Sequence, residues 1–227
     1  HLIFDRLKKG EIKLDDLLHV SEEAWRKGGS KMFVNLNTQV PIEALLYGVI
    51  VQSGNDACIV LAEGVSGSET AFAEEMTRAA HEMGAKNSNF VNASGWPDDN
   101  QYSTAKDLAI MAEATIRDFP TEYAKYYAVK EYKYNNINQP NRNTLLFKNM
   151  GADGVKTGHT DAGGYGSVVS AKQGDRRLIL VVNGLPSMKA RDEEATRLTN
   201  WGFTYYKNYK VFGKGDLVDT ADVWGGE

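Results

Sequence analysis

Between Tyr165 and Leu185 the chain encodes one long hairpin: two runs rich in β-branched residues, Tyr165 to Lys172 and Arg176 to Leu185, joined by Gln173-Gly174-Asp175. A hairpin of this length commits the C-terminal half to an antiparallel sheet, and a sheet with an apolar face needs a helical layer to bury it. Arg191 to Tyr206 supplies one, with Ala195, Leu198, Trp201 and Phe203 recurring in a pattern that predicts a long closing helix on the sheet. The segment around Lys156 is expected to be the neighbouring strand. Upstream the pattern is helical. Pro41 opens a buried apolar helix that leads to Ser53, and a short helix is expected over Asp56 to Gly64. Ser68 then starts an amphipathic helix with Phe72, Met76 and Ala79 or Ala80 inward and Gly84 at its end. The expected architecture is mixed α/β of the α+β type: an antiparallel sheet flanked by helices.

Two tripeptides stand out against that background. Ser53-Gly54-Asn55 ends the apolar helix, and Lys156-Thr157-Gly158 follows about a hundred residues later in the expected strand. A Ser-x-Asn and a Lys-Thr-Gly are two parts of a three-part set found in penicillin-binding proteins and β-lactamases, whose third part is a Ser-x-x-Lys carrying the nucleophile. Among the serines only Ser103, with Lys106, has that spacing. Ser103-Thr104-Ala105-Lys106-Asp107 reads instead as a helix start: a hydroxyl cap, an acid in the first turn, then apolar Leu108, Met111 and Ala112. The first ten residues, with apolar positions 3, 4 and 7, a basic end and Gly10, read as the second part of an amphipathic helix, so the missing motif is expected upstream of His1.

The flanks make the likeness specific. The run Gly48 to Cys58 around Ser53, the run Gly154 to Thr160 around Lys156, Asn89 to Trp96 and Asn141-Arg142-Asn143 together resemble the serine-type D-alanyl-D-alanine carboxypeptidases, low-molecular-mass penicillin-binding proteins, over residues 1–206. The resemblance implies the serine β-lactamase-like fold and an acyl-enzyme that releases the terminal D-alanine of peptidoglycan stem peptides, with β-lactam antibiotics as covalent inhibitors. It implies that Ser53 and Lys156 are catalytic, relaying a proton between the missing lysine and the leaving amine. It places Asn55, Thr157, Gly158 and His159 against the substrate, and it offers Arg191, the favoured candidate, and Arg142 for the substrate carboxylate. Residues 207–227 resemble the linker and first strands of a small β-rich second domain, with alternating runs at 211–216 and 218–224. The family also implies a periplasmic location, with peripheral attachment to the inner membrane through a C-terminal segment not visible in this sequence.

Composition narrows the alternatives. Hydrophobic residues at 42%, charged residues at 25% and a net charge of -4 describe an ordinary globular chain without the basic footprint that nucleic acid requires. The longest apolar run, Ala44 to Val51, is far too short to span a bilayer. His1, His19 and His81 have no metal-ligand spacing with one another or with Cys58, so neither a metal nor another cofactor is expected. Cys58, set among Ala57, Ile59, Val60 and Leu61, is expected to be a small buried hydrophobe. Glu22-Glu23 and Glu74-Glu75 are expected to be solvated helix charges. Two other readings stand beside the carboxypeptidase. One is a serine β-lactamase, although the segment from Pro140 to Met150 lacks the glutamate that would activate water. The other is a non-catalytic peptidoglycan-binding relative, which takes the missing nucleophile literally.

Overall fold

The computed structural model describes residues 1–209, 211–213 and 215–219. Helix α1 (Leu2–Lys9) buries Ile3 and Phe4 and stops at Gly10, whose φ of 72° is the left-handed cap that glycine adopts without strain. Strand β1 (Leu17–His19), helix α2 (Glu22–Arg26) and strand β2 (Gln39–Pro41) follow, β1 pairing antiparallel with β2. Pro41 ends β2 and opens helix α3 (Ile42–Ile50). Helix α4 (Asn55–Ser66) is longer at both ends than the expected 56–64 and runs through the centre of the helical lobe. Its Ile59, Val60 and Ala62 are fully buried. Helix α5 (Glu69–Glu82) packs on α4, with Phe72 and Ala80 buried as expected. Helices α6 (Ala105–Asp118) and α7 (Pro120–Tyr126) complete the lobe, where Phe4 stacks on Tyr126 with ring centroids 5.8 Å apart.

Helix starts follow hydroxyl chemistry. Ser21, Ser68, Thr104 and Ser187 each accept a hydrogen bond from the backbone N–H three residues on, which satisfies one of the free donors of a first turn. Of the two adjacent hydroxyls at the expected helix start, Thr104 is the one that caps α6. Ser103 bonds Ser88 instead, at 2.9 Å, and Lys106 is exposed, so this serine and lysine form no catalytic pair. One charge departs from expectation. Glu75 is not simply solvated but receives the Arg6 guanidinium at 2.6 Å, tying α1 to α5.

A small hairpin, β3 (Glu131–Tyr134) and β4 (Ile137–Pro140), leads through a 3-10 turn at Thr144–Phe147 into the main sheet. Strands β5 (Ala152–Thr160), β6 (Gly164–Gln173) and β7 (Arg176–Leu185) lie antiparallel in that order, which leaves β5 on an edge. The β6–β7 turn is tighter than the sequence suggests: Gln173 already pairs with Arg176, and Gly174 at φ 58° takes the first of two turn positions. Helix α8 (Met188–Tyr205) starts three residues before the expected Arg191 because Ser187 caps it. It packs on β6 and β7, where Val169, Val182 and Ala195 form a second core. On the opposite face of the strands, by the alternation of side chains along them, Arg177 pairs with Asp153 at 2.7 Å beside Tyr123 of α7.

The alternating runs after residue 206 resemble the entry to a second domain that the sequence stops short of. Residues 211–213 and 215–219 have no strand pairing, and Val211, Leu217 and Val218 are exposed, because alternation makes a strand only where a partner edge is available. Positions 220–224 lie outside the described residues.

Candidate active site

The sequence 53–55 makes a turn that few side chains would tolerate. Ser53 sits at φ 56°, a left-handed conformation costing an L-residue roughly 1–2 kcal/mol. Three neighbours hold it there: Gln52, fully buried, donates to Tyr132 O at 3.0 Å, Gly54 N donates to Gly48 O, and Asn55 N donates to Ser30 O. Gly54 is required because a Cβ there would sit 2.8 Å from Asp56 Oδ1 and 2.9 Å from Met32 N. Asn55 then begins α4, with its Nδ2 donating to Gly28 O at 3.0 Å. This fixes the amide orientation and leaves Oδ1 an acceptor with no protein partner among the described residues.

Lys156 arrives from the other lobe. In β5 it lies opposite Val168, and its ammonium donates to Ser53 Oγ at 2.8 Å and to Thr157 O at 2.9 Å. Burial pushes its pKa down to about 8, and the positive charges of Arg142 and Arg191 push the same way. The Cys58 sulfur acts oppositely on it, and burial raises the Cys58 thiol to about 12. Cys58 is thus an unreactive thiol, half-buried where full burial was expected, and it lies within electrostatic reach of Lys156. A lysine near neutrality, hydrogen-bonded to a serine hydroxyl, can pass a proton in either direction at physiological pH.

Thr157 is buried opposite Ser167, while Gly158 and His159 are exposed toward the end of the edge strand. Nothing approaches within 4 Å of where a Gly158 Cβ would be, so the absent side chain leaves room along the edge. His159 stacks on Tyr165 with centroids 3.9 Å apart. The two arginines differ in burial and in partners. Arg191 is only 4% exposed and its guanidinium is already bound to Asp192 Oδ1 at 2.9 Å and to Arg142 O at 3.2 Å. Arg142 is exposed and bonds Ser30 Oγ, and each of the two guanidinia keeps a nitrogen without a partner among the described residues.

Asp56 was not singled out by the sequence, yet it organises the wall of the cleft. Fully buried, its carboxylate accepts from the backbone N–H groups of Met32 (2.8 Å), Phe33 (2.9 Å), Val34 (3.3 Å) and Ala57 (2.9 Å). It thereby clamps the 30–34 loop, Phe33 at φ 68° included, against the Ser53 turn. An acid among the apolar residues of a buried helix was the available signal, since such a group must find donors. Asn143 does similar work for β5, its Nδ2 donating to Gly154 O at 3.0 Å.

A serine hydroxyl, a lysine of lowered pKa and an unpaired amide oxygen meet beside an open strand edge, which brings the Ser-x-Asn and Lys-Thr-Gly motifs of penicillin-binding proteins together. Residues 1–187 match the family described as D-alanyl-D-alanine carboxypeptidase. The chain is 43% identical to D-alanyl-D-alanine carboxypeptidase DacA of Haemophilus influenzae, over 97% of this chain and 57% of that protein. Penicillin-binding protein 5 of the same organism superposes with a TM-score of 0.86 at 45% identity, covering 89% of this chain and 60% of that one. Penicillin-binding protein D2 of Listeria monocytogenes, solved in an ampicillin-bound form, superposes with a TM-score of 0.80 at 25% identity, over 89% and 82% of the two chains. The chain belongs to the D-alanyl-D-alanine carboxypeptidase family. It spans somewhat over half the length of the curated relatives it matches.

Proposed function

We propose that these residues form the substrate cleft of a serine-type D-Ala-D-Ala carboxypeptidase that removes the terminal D-alanine from peptidoglycan stem peptides through an acyl-enzyme. The observation that carries this reading is the 2.8 Å contact between Lys156 Nζ and Ser53 Oγ, with the lysine pKa lowered to about 8. The nucleophilic serine and its lysine, in this reading, belong to a Ser-x-x-Lys outside these 227 residues. Ser53 takes the proton from that lysine and delivers it to the departing D-alanine nitrogen, with Lys156 holding the hydroxyl and favouring the anionic substrate end by its charge. Asn55 Oδ1 accepts the N–H on the acyl side. The edge of β5 receives the peptide backbone, Gly158 leaving the space, while Thr157, His159, Arg142 and Arg191 surround the terminal carboxylate. Arg142 offers its donors directly, and Arg191 contributes mainly positive potential. A β-lactam enters by the same route and leaves a covalent adduct, in line with the ampicillin-bound Listeria relative. In this reading the enzyme acts in the periplasm, where peptidoglycan lies, and the family resemblance supports peripheral attachment to the inner membrane.

The test is intact mass spectrometry before and after incubation with benzylpenicillin. The protein with its upstream Ser-x-x-Lys gains one antibiotic mass, and Lys156→Ala slows the gain at least a hundredfold, the scale of losing an acid-base group. The 227-residue chain alone gains none. An unchanged mass for the longer protein, or labelling of the 227-residue chain itself, refutes the assignment.

A further inference from the structure

Strand β5 does not enter its sheet in plain register. Ala152 lies opposite Ala171 and Gly154 opposite Ser170, so two steps along β5 match one along β6, and Asp153 is the extra residue of a β-bulge. Side chains alternate along a strand, and one residue more or fewer ahead of Lys156 would transfer it to the other face of the sheet. With the bulge in place Lys156 pairs with Val168, on the same face as Ser170 and Arg177, and from that face it reaches Ser53 Oγ at 2.8 Å. The extra residue is tied to three neighbouring elements. Arg177 Nη1, from β7, meets Asp153 Oδ1 at 2.8 Å and Oδ2 at 2.7 Å, and it also bonds Ser170 Oγ on the strand between. The Tyr123 hydroxyl of α7 donates to Asp153 Oδ1 at 3.2 Å and lies so close to the next peptide that a Cβ on Gly154 would meet it at 2.1 Å. The Arg177 guanidinium stands 5.6 Å from the Tyr123 ring centroid. Tyr123 and Ser170 are buried, and the ion pair is partly buried beside them.

The two charges of the pair cancel at close range, and the charged groups that act on the lysine are Arg142, Arg191 and Cys58. Any influence of Arg177 on Lys156 therefore travels through the backbone of β5. From this arrangement we infer that Asp153, Arg177 and Tyr123 are positioning residues for acyl transfer: they lock the bulge at 152–154 and so fix the face and the place from which Lys156 meets Ser53. None of the three touches substrate. This role rests on the proposed carboxypeptidase reading and adds to it a device that lies outside both the Ser-x-Asn and the Lys-Thr-Gly motifs.

A double-mutant cycle tests it. The protein with its upstream Ser-x-x-Lys is compared with its Arg177→Met, Lys156→Ala and doubly substituted forms, the rate of benzylpenicillin acylation being followed by mass spectrometry and the urea midpoint of each form showing that it is folded. Arg177→Met is expected to slow acylation by about tenfold to a hundredfold, the scale of misplacing a reacting group by up to an ångström, and Arg177→Lys, which keeps a donor and the charge, to recover most of the loss. In the Lys156→Ala background, with no ammonium left to aim, Arg177→Met is expected to slow acylation by less than about twofold. Equal slowing with and without the lysine overturns the positioning role, because a merely structural contact acts in both backgrounds. So does an Arg177→Met rate within about twofold of the unsubstituted protein. Where Arg177→Met fails to fold, Tyr123→Phe, which removes only the hydroxyl, goes through the same cycle and is judged in the same way. No acylation of the unsubstituted longer protein overturns the carboxypeptidase reading, and the positioning role with it.

Discussion

Replacing Lys156 by methionine separates the energy stored in the buried ammonium from the packing of its stem. The lysine pKa falls from 10.5 to about 8 on folding, chiefly through burial, and that difference corresponds to roughly 3 kcal/mol between the two protonation states. The sign follows from proton counting. Between pH 8 and 10.5 the unfolded chain holds a proton that the folded chain has released, so this group's contribution to stability rises with pH across that window. Below pH 8 the folded state bears the full cost of about 3 kcal/mol, and above 10.5 the cost is gone. Whatever Lys156→Met gains or loses in packing is the same at every pH. Urea unfolding of the two proteins at pH 7, 8, 9, 10 and 10.5 therefore isolates the charge: the wild-type chain should gain on the variant by most of 3 kcal/mol over the series. Stability differences that stay constant with pH would refute the argument that Lys156 is held near neutrality by its surroundings.

Three further outcomes follow from the geometry around it. Ser53→Gly should be about 1 kcal/mol more stable than Ser53→Ala by urea midpoint, since only the alanine inherits the strain of φ 56°; equal midpoints would show that the turn relaxes. Asp56→Asn turns one of two fully engaged oxygens into a donor facing two N–H groups, and should cost about 3 kcal/mol in the same assay and broaden the amide signals of 32–34; a loss below about 0.5 kcal/mol would remove Asp56 from its clamping role. Gly54→Ala should lose about 1–3 kcal/mol and slow penicillin acylation of the longer protein, because relief of the 2.8 Å approach to Asp56 has to displace Ser53; undiminished acylation would separate the turn from the chemistry.

The parts of the fold legible in the sequence are those written in neighbouring residues. The β6–β7 hairpin, the Ser68 and Thr104 caps and the Gly10 stop all depend on local chemistry, and all lie within a few residues of expectation. The meeting of Ser53 with Lys156 was expected only because the flanking segments resemble a family; no periodicity brings together residues so far apart. Side-chain supply and demand was less visible. Arg191 was preferred over Arg142 from its place beside the sheet, and what the sequence did not show is that Arg191 is buried against its neighbour Asp192 while Arg142 is exposed. Asp56 escaped notice because its donors come from a loop more than twenty residues earlier in the chain. After residue 206 the sequence alternates, but alternation alone does not create a partner edge.

The position of β5 at the outside of its sheet bears on what can deceive such a cleft. An edge offers a row of main-chain donors and acceptors, and these respond to the shape of a backbone without reading the side chains attached to it. A rigid molecule that reproduces one amide, one carboxylate and the bend between them satisfies that edge as well as a peptide does. For the proposed carboxypeptidase, vulnerability to such mimics is then inherent in reading a chain terminus by its backbone, and a variant that closed the edge to the impostor would close it to the peptide.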